Sequence, residues 1–325
     1  MKRFKDTSKP LRGGATPGSF AEAERPAPSV GVIDRPVTPT DFDVVGNPHE
    51  SWIRDNTWDM RNLSGQHLTG LRWNAVSAND ICLNGATITE SDLSGIDMRD
   101  AKVRSAEVTA TNLSYADMRG ANLQYTEFDD CNFNNVKFAK TAARGKFTDC
   151  TMYGTYINGS NLRGAELTKC SFMSAEFEGA NCIDTEFDEC DLQRVKFTQG
   201  TDLTDARFYN SVLRRSEFIG VNGMGAEIGR SDATDTTFVN SDFQNATFIG
   251  SDLRGSHFQN VNLTDARFDD ADLSNTSFKD VNLTRSNIAD RASSVRGARF
   301  LIVDTDEHRE VAAELRRRGA EVTLY

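Results

Sequence analysis

The sequence predicts a one-dimensional array of short repeats with non-repeating ends, on three observations. An apolar residue returns at every fifth position, read from Leu203 as Leu203, Phe208, Leu213, Phe218, and on through Phe258, Leu263, Phe268, Leu273, Phe278, Leu283 and Ile288. A small residue stands two positions before most of them, as at Ala206, Ser211, Ser216, Ala266 and Ala271. All 7 prolines fall at or before Pro48, so the first fifty residues differ in kind. A period of five fits neither the 3.6 of a helix nor the 2 of a strand, and an array of this kind grows without a single central core.

Ala121-Asn122-Leu123, Ser251-Asp252-Leu253 and Ala271-Asp272-Leu273 resemble the repeats of the pentapeptide repeat family. That resemblance, which runs from about Leu63 to Ile288, implies an all-β fold: a right-handed quadrilateral β-helix with four five-residue faces per coil. About 11 to 12 coils follow, stacked at about 4.8 Å. It also implies that the repeats are scaffold, with function carried elsewhere.

Taken in order, residues 1–50 hold Pro10, Pro17, Pro26, Pro28, Pro36, Pro39 and Pro48 with Gly13, Gly14 and Gly18. Such a segment buries too little apolar surface to fold alone. We expect an extended or disordered arm that docks on a partner through Val30, Val32, Ile33 and Phe42. Residues 51–62, with Trp52, Ile53, Trp58 and Met60, are expected to cap the open end of a solenoid over 51–300.

The repeats change phase twice. Apolar positions end in 3 or 8 as far as Phe138, in 2 or 7 from Ala142 to Phe197, and in 3 or 8 again from Leu203. One residue is therefore missing near Thr141-Ala142 and one is extra near Gln199-Gly200. With four faces per coil, one column reads Ala78, Met98, Met118, Phe138, Ile157, Phe177, Phe197, Phe218, Phe238, Phe258, Phe278. Another reads Leu63, Leu83, Val103, Leu123, Ala142, Leu162, Cys182, Leu203, Gly223, Phe243, Leu263, Leu283. The columns keep their Phe or Leu character across both breaks, which predicts local kinks and no projecting loops. Cavities are expected at Gly223 and Ala233, where bulky neighbours surround a small residue.

Cys131, Cys150, Cys170 and Cys190 all take the inward small position of one column. Four thiols in line at about 4.8 Å cannot converge on zinc at about 2.3 Å, so they are expected as buried, reduced side chains, and Cys182 with them. After Ile288 the motif decays. Arg296 to Val303 is expected as a last strand, and residues 301–325 as a strand, helix and strand element whose helix is capped by Asp304 or Thr305, carries Val311, Ala312 and Leu315 on one face and stops at Gly319. The element closes the solenoid, or pairs two copies through Val311 and Leu315.

The net charge is −11, and the first fifty residues are neutral, so the array carries the excess. Direct nucleic-acid binding is not expected. No run of 18 apolar residues predicts a membrane span, no apolar stretch follows the basic start to make a secretory signal, and 6 cysteines in 325 residues make no disulfide scaffold and point to a reducing, cytoplasmic setting. No cofactor, metal or catalytic constellation is expected, since His49, His67, His257 and His308 are scattered.

Two function classes remain. The first is a non-enzymatic protein-binding rod, cytoplasmic or part of a larger assembly such as a virion. The second follows from resemblance to the quinolone-resistance branch of the family: a DNA mimic that binds a type II topoisomerase. Its candidate acidic ridge is Asp184, Glu186, Asp188, Glu189 and Asp191 with Asp265, Asp269, Asp270 and Asp272.

Overall fold

Five residues are enough for three extended positions and a two-residue corner. The extended part alternates in, out, in, which places the small residue and the central Leu or Phe in the interior with one polar residue between them. In the computed structural model, which describes residues 62–325, this unit repeats around a four-walled parallel β-solenoid of about 13 turns. The expected arm, with Val30, Val32, Ile33 and Phe42, and nearly all of the expected cap lie outside the described residues.

The polar residue and the central residue bond in opposite directions. The Asn122 N–H donates to Ala101 O one coil back (2.8 Å), and the Leu123 N–H to Ala142 O one coil on (2.7 Å). Four vertical stacks result. Wall 1 begins with Leu63, wall 2 with Leu68, wall 3 with Trp73 and wall 4 with Ala78. Wall 2 holds a nine-stranded parallel sheet from His67–Thr69 to Glu227–Gly229, and wall 4 an eight-stranded one from Glu176–Glu178 to Glu321–Leu324. Walls 1 and 3 are joined by single bridges. Sequence explains the difference. On walls 1 and 3 the polar residue is often Asn or Asp, whose Oδ1 accepts the N–H two residues on and tightens the corner, as in Gln124 N–H to Asn122 (3.1 Å) and Gln193 N–H to Asp191 (3.1 Å). Wall 2 has mostly Glu, Lys, Arg or Thr there and keeps three extended residues.

The Phe column survives both phase breaks. Phe197, Phe218, Phe238, Phe258, Phe278 and Phe300 stack with ring centroids 4.4–5.0 Å apart. Across the interior they meet wall 2 edge to face, as Phe218 meets Phe208 at 6.0 Å and 88°. The small positions carry bonds as well. Buried hydroxyls donate to the central carbonyl of the coil below, Thr185 to Leu162 O (2.9 Å), Ser231 to Phe208 O (2.9 Å) and Thr276 to Leu253 O (2.9 Å). A buried hydroxyl without such an acceptor would cost about 1–3 kcal/mol.

Three details correct the sequence reading. Ala142 faces outward and pairs with Asn122, while Ala143 takes the interior place (3 % exposed). The missing residue therefore belongs to the next corner, where Arg144 stands alone and Gly145 enters the tube. A Cβ on Gly145 would lie 2.4 Å from Thr126 O, so glycine is required there. The extra residue does fall at Gln199-Gly200, in a corner closed by Gly200 at φ +83. Gly223 leaves no hole, because the Phe243 ring leans into it and a Cβ would sit 2.5 Å from Cε1. An interior gap of ≈ 10 Å³ lies beside Ala143, between Phe138, Phe147, Met152, Ile157, Leu162, Leu167 and Phe172.

At the C-terminal end a short helix, α1 (Ile288–Arg291), turns the chain under the last coil. Strand Arg299–Ile302 rejoins wall 4, inside the span expected for the last strand. Helix α2 (Asp306–Arg317) follows, with Thr305 accepting the His308 N–H (3.1 Å) at its start and Gly319 (φ +93) after its end. Strand Glu321–Leu324 pairs parallel with Arg299–Ile302 and ends the wall.

Candidate interaction surfaces

Surface chemistry on a solenoid is set by which residues stack, so each candidate is placed by wall and coil. The thiols come first because they face the interior. Cys131, Cys150, Cys170 and Cys190 do share wall 3 and are buried. Each donates to a main-chain carbonyl, Cys170 to Phe147 O (3.2 Å) and Cys190 to Leu167 O (3.2 Å). The Cys131 thiol is pushed above its ordinary range, first by the Cys150 sulfur beside it and then by burial. Burial does the same to Cys182. Thiols held protonated are poor nucleophiles and poor ligands. Among the described residues no three His, Cys, Asp or Glu side chains are grouped to hold a metal ion.

The expected acidic ridge is two separate arcs. Asp184, Glu186, Asp188, Glu189 and Asp191 follow one coil from the corner after wall 1, across wall 2, to wall 3. Asp265, Asp269, Asp270 and Asp272 repeat that course four coils farther, about 19 Å along the axis. Cations are interleaved: Arg163–Asp184 (3.6 Å), Arg207–Glu186 (2.7 Å), Arg285–Asp265 (2.5 Å), Arg267–Asp269 (3.1 Å) and Arg254–Asp272 (3.9 Å). Asp191 and Asp272 also accept corner N–H groups. Arg285 holds the Asp265 carboxyl below the usual carboxylate range.

Helix α2 turns its apolar face inward. Leu315 and Ala312 are fully buried (0 % exposed) and Val311 packs against the core. His308 is held at both ring nitrogens, Nδ1 against Val303 O (2.8 Å) and Nε2 accepting the Leu283 N–H (3.4 Å). Arg318 donates to Ala289 O (2.5 Å) and also to Ala292 O. Of the two roles expected for this element, the inward packing of Leu315 and Val311, beside Ile288, Ala289, Ala292 and Val295, fits closure of the tube.

Two surface features escaped the sequence reading. An open polar groove of ≈ 490 Å³ runs along the corner between walls 2 and 3, lined by Arg72, Asn74, Glu90, Asp92 and Asn112 among others. Asp92 there accepts from Asn74 (2.6 Å) and Asn112 (3.1 Å). On wall 1, exposed Tyr125 lies between the guanidinium groups of Arg104 (5.2 Å) and Arg144 (5.5 Å). The column register brings these three together from positions twenty residues apart, and only that register could have revealed them.

The sequence matches the family described as pentapeptide repeats in 8 copies, which together cover residues 104–139 and 146–290. No curated protein matches it. Solved structures that are similar include HetL from the cyanobacterium Nostoc sp. strain PCC 7120, involved in heterocyst differentiation regulation. It is 21% identical, with 73% of this chain and 88% of that one covered and a TM-score of 0.31. Rfr23 from the cyanobacterium Cyanothece 51142 is 20% identical over 40% of this chain and 86% of that one, TM-score 0.24. Trypsin-treated QnrB1, a plasmid-mediated fluoroquinolone resistance protein, is 17% identical over 79% and 98%, TM-score 0.24.

Proposed function

Since the chain belongs to the pentapeptide repeat family, we propose that it works as a non-enzymatic protein-binding scaffold, a rod whose flat walls and ends present side chains at fixed spacing. One observation carries this reading. The inward positions of the tube are filled by packed or hydrogen-bonded side chains, and the charged groups outside are arranged by the coil repeat and not around a reacting centre. A rigid body preceded by a Pro-rich arm suits a component of a larger assembly, such as a virion. Capture on the immobilised full chain, compared with a chain lacking residues 1–50, tests it. Specific proteins held by the full chain and lost without the arm support docking through the arm, and retention of none sinks the scaffold reading.

The DNA-mimic reading has less to support it. The two acidic arcs run around the girth and hold ion pairs, and the axial run of Asp202, Asp205 and Asp242 on wall 1 continues into a basic run of Lys102, Arg104 and Arg144, which a mimic of uniformly negative DNA would not carry. A gyrase supercoiling assay decides: inhibition or protection at micromolar protein would revive that alternative.

A further inference from the structure

The outward positions of wall 1, with the corner that follows it, separate charge by sign. In the first six coils they read Asn62, Ser64, Cys82, Asn84, Lys102, Arg104, then Asn122, Gln124, Tyr125, Ala142, Arg144, Asn161 and Arg163, without a carboxylate. In the next five they carry Asp184, Asp202, Asp205, Asp242 and Asp265 and no cation. The corner leading into the wall is mixed, with Asp80, Asp100 and Lys140. Among the described residues Lys102, Arg104 and Arg144 have no carboxylate in ion-pair range, and Asp202, Asp205 and Asp242 no cation. Arg163–Asp184 (3.6 Å) joins the two halves, and Asp265 is paired only with Arg285 beyond them.

We infer that wall 1 is a self-complementary surface whose partner is a second copy of this chain, laid antiparallel. A two-fold axis along the strand direction, between the coils of Leu162 and Cys182, matches like positions across the contact, as an isologous interface requires. Arg163 then meets Asp184 of the second copy, Arg144 meets its Asp202 and Asp205, and Lys102 with Arg104 meets its Asp242. Each contact is made twice. The same operation sets exposed Tyr125 (50 %) opposite the coil of exposed Met224 (40 %), so the two large apolar groups of the wall cover each other. The matched region runs over eight coils, about 34 Å. A free polyanion would use the basic half alone and leave the acidic half repelling it. A second copy uses both, which is why we favour it. This surface is one of the flat walls invoked above and stands without the arm.

The experiment is the solution mass of the full chain by sedimentation at low salt, about 0.05 M, and at about 1 M, where exposed charges are screened. The expected result is twice 35.9 kDa at low salt, falling to the single-chain mass at high salt. Arg144→Glu with Arg163→Glu, and separately Asp184→Lys with Asp205→Lys, each place like charges across the contact and give the single-chain mass throughout. Mixing the two variants restores the doubled mass, because each reversed half then faces its complement. Arg144→Ala with Arg163→Ala covers the case in which a reversed variant fails to fold, and raises the dissociation constant about tenfold or more. A wild-type chain that stays single at low salt overturns the inference, also if it binds heparin through these arginines. A doubled mass that survives in both reversed variants overturns it as well.

Discussion

Gly223→Ala puts the packing account at risk. Its column holds Leu203 below and Phe243 above, so the repeat pattern alone says that a side chain is missing and that any addition should help. The structure says the reverse. A Cβ at Gly223 would stand 2.5, 2.7 and 2.9 Å from Phe243 Cε1, Cδ1 and Cζ. That ring has little room to yield, being held edge-on by Phe238 (5.3 Å) and Phe218 (6.0 Å) and against Phe248 (6.1 Å). Overpacking of this kind costs about 1–3 kcal/mol. Losing a glycine from the unfolded chain returns about 0.4–1 kcal/mol, which leaves a net loss of roughly 1–2 kcal/mol. In a Phe243→Leu background the clash is relieved, and the same Gly223→Ala change becomes neutral or stabilising by about 0.5 kcal/mol. Urea denaturation of the four proteins of this double-mutant cycle measures the coupling, expected near 2 kcal/mol. Stabilisation by Gly223→Ala in the wild-type chain, or additive effects, would refute the argument.

Thiol labelling of the native protein should modify Cys82, the only cysteine that is not buried. The other five should react only after denaturation, and native-state labelling of Cys150 or Cys170 would contradict the placement of their column. Ala110 is exposed and held at φ +49. Relief of about 1–2 kcal/mol of left-handed strain, less about 0.4–1 for added unfolded-state freedom, makes Ala110→Gly stabilising by roughly 0.5–1 kcal/mol; an unchanged denaturation midpoint would count against it. Asp97 and Asp117 are bonded by Arg99 (2.7 Å) and Arg119 (2.6 Å), which hold both carboxyls below the usual range. The unfolded chain then binds more protons in acid, so their contribution is present above about pH 4 and lost as pH falls through the lowered values. The melting temperature should fall more gently below about pH 4 in Asp97→Asn with Asp117→Asn than in the wild type.

The columns were legible because one inward residue every fifth position is a strong signal, and a wrong face count would have mixed Phe with Leu. The C-terminal strand, helix and strand were legible from Thr305 and Gly319, whose capping chemistry is local. Ala142 was misplaced because two alanines stand side by side there, and hydrophobicity cannot tell which turns inward when a residue is missing close by. The register of Lys146 and Phe147 opposite Glu127 and Phe128, and the 2.4 Å that a Cβ would stand from Thr126 O, identify Gly145 as the residue that entered the tube. The left-handed corner residues also went unread, because Glu90, Tyr125, Lys140 and Arg230 occupy conformations that local preference assigns to glycine or asparagine. Stacking with the coils on either side holds them there. The wall 1 charge pattern stayed hidden for a related reason, being written across coils about twenty residues apart.

The corners at Arg144 and Gly200 show what kind of change in the gene such a tube can absorb. A single codon lost or gained at a bend is taken up like slack in an expansion joint, and every later residue still returns to its own stack. The same codon lost inside a wall would turn each following Leu or Phe toward solvent until another bend corrected it. Lineages carrying this architecture should therefore drift in length at the bends and lengthen elsewhere by whole circuits.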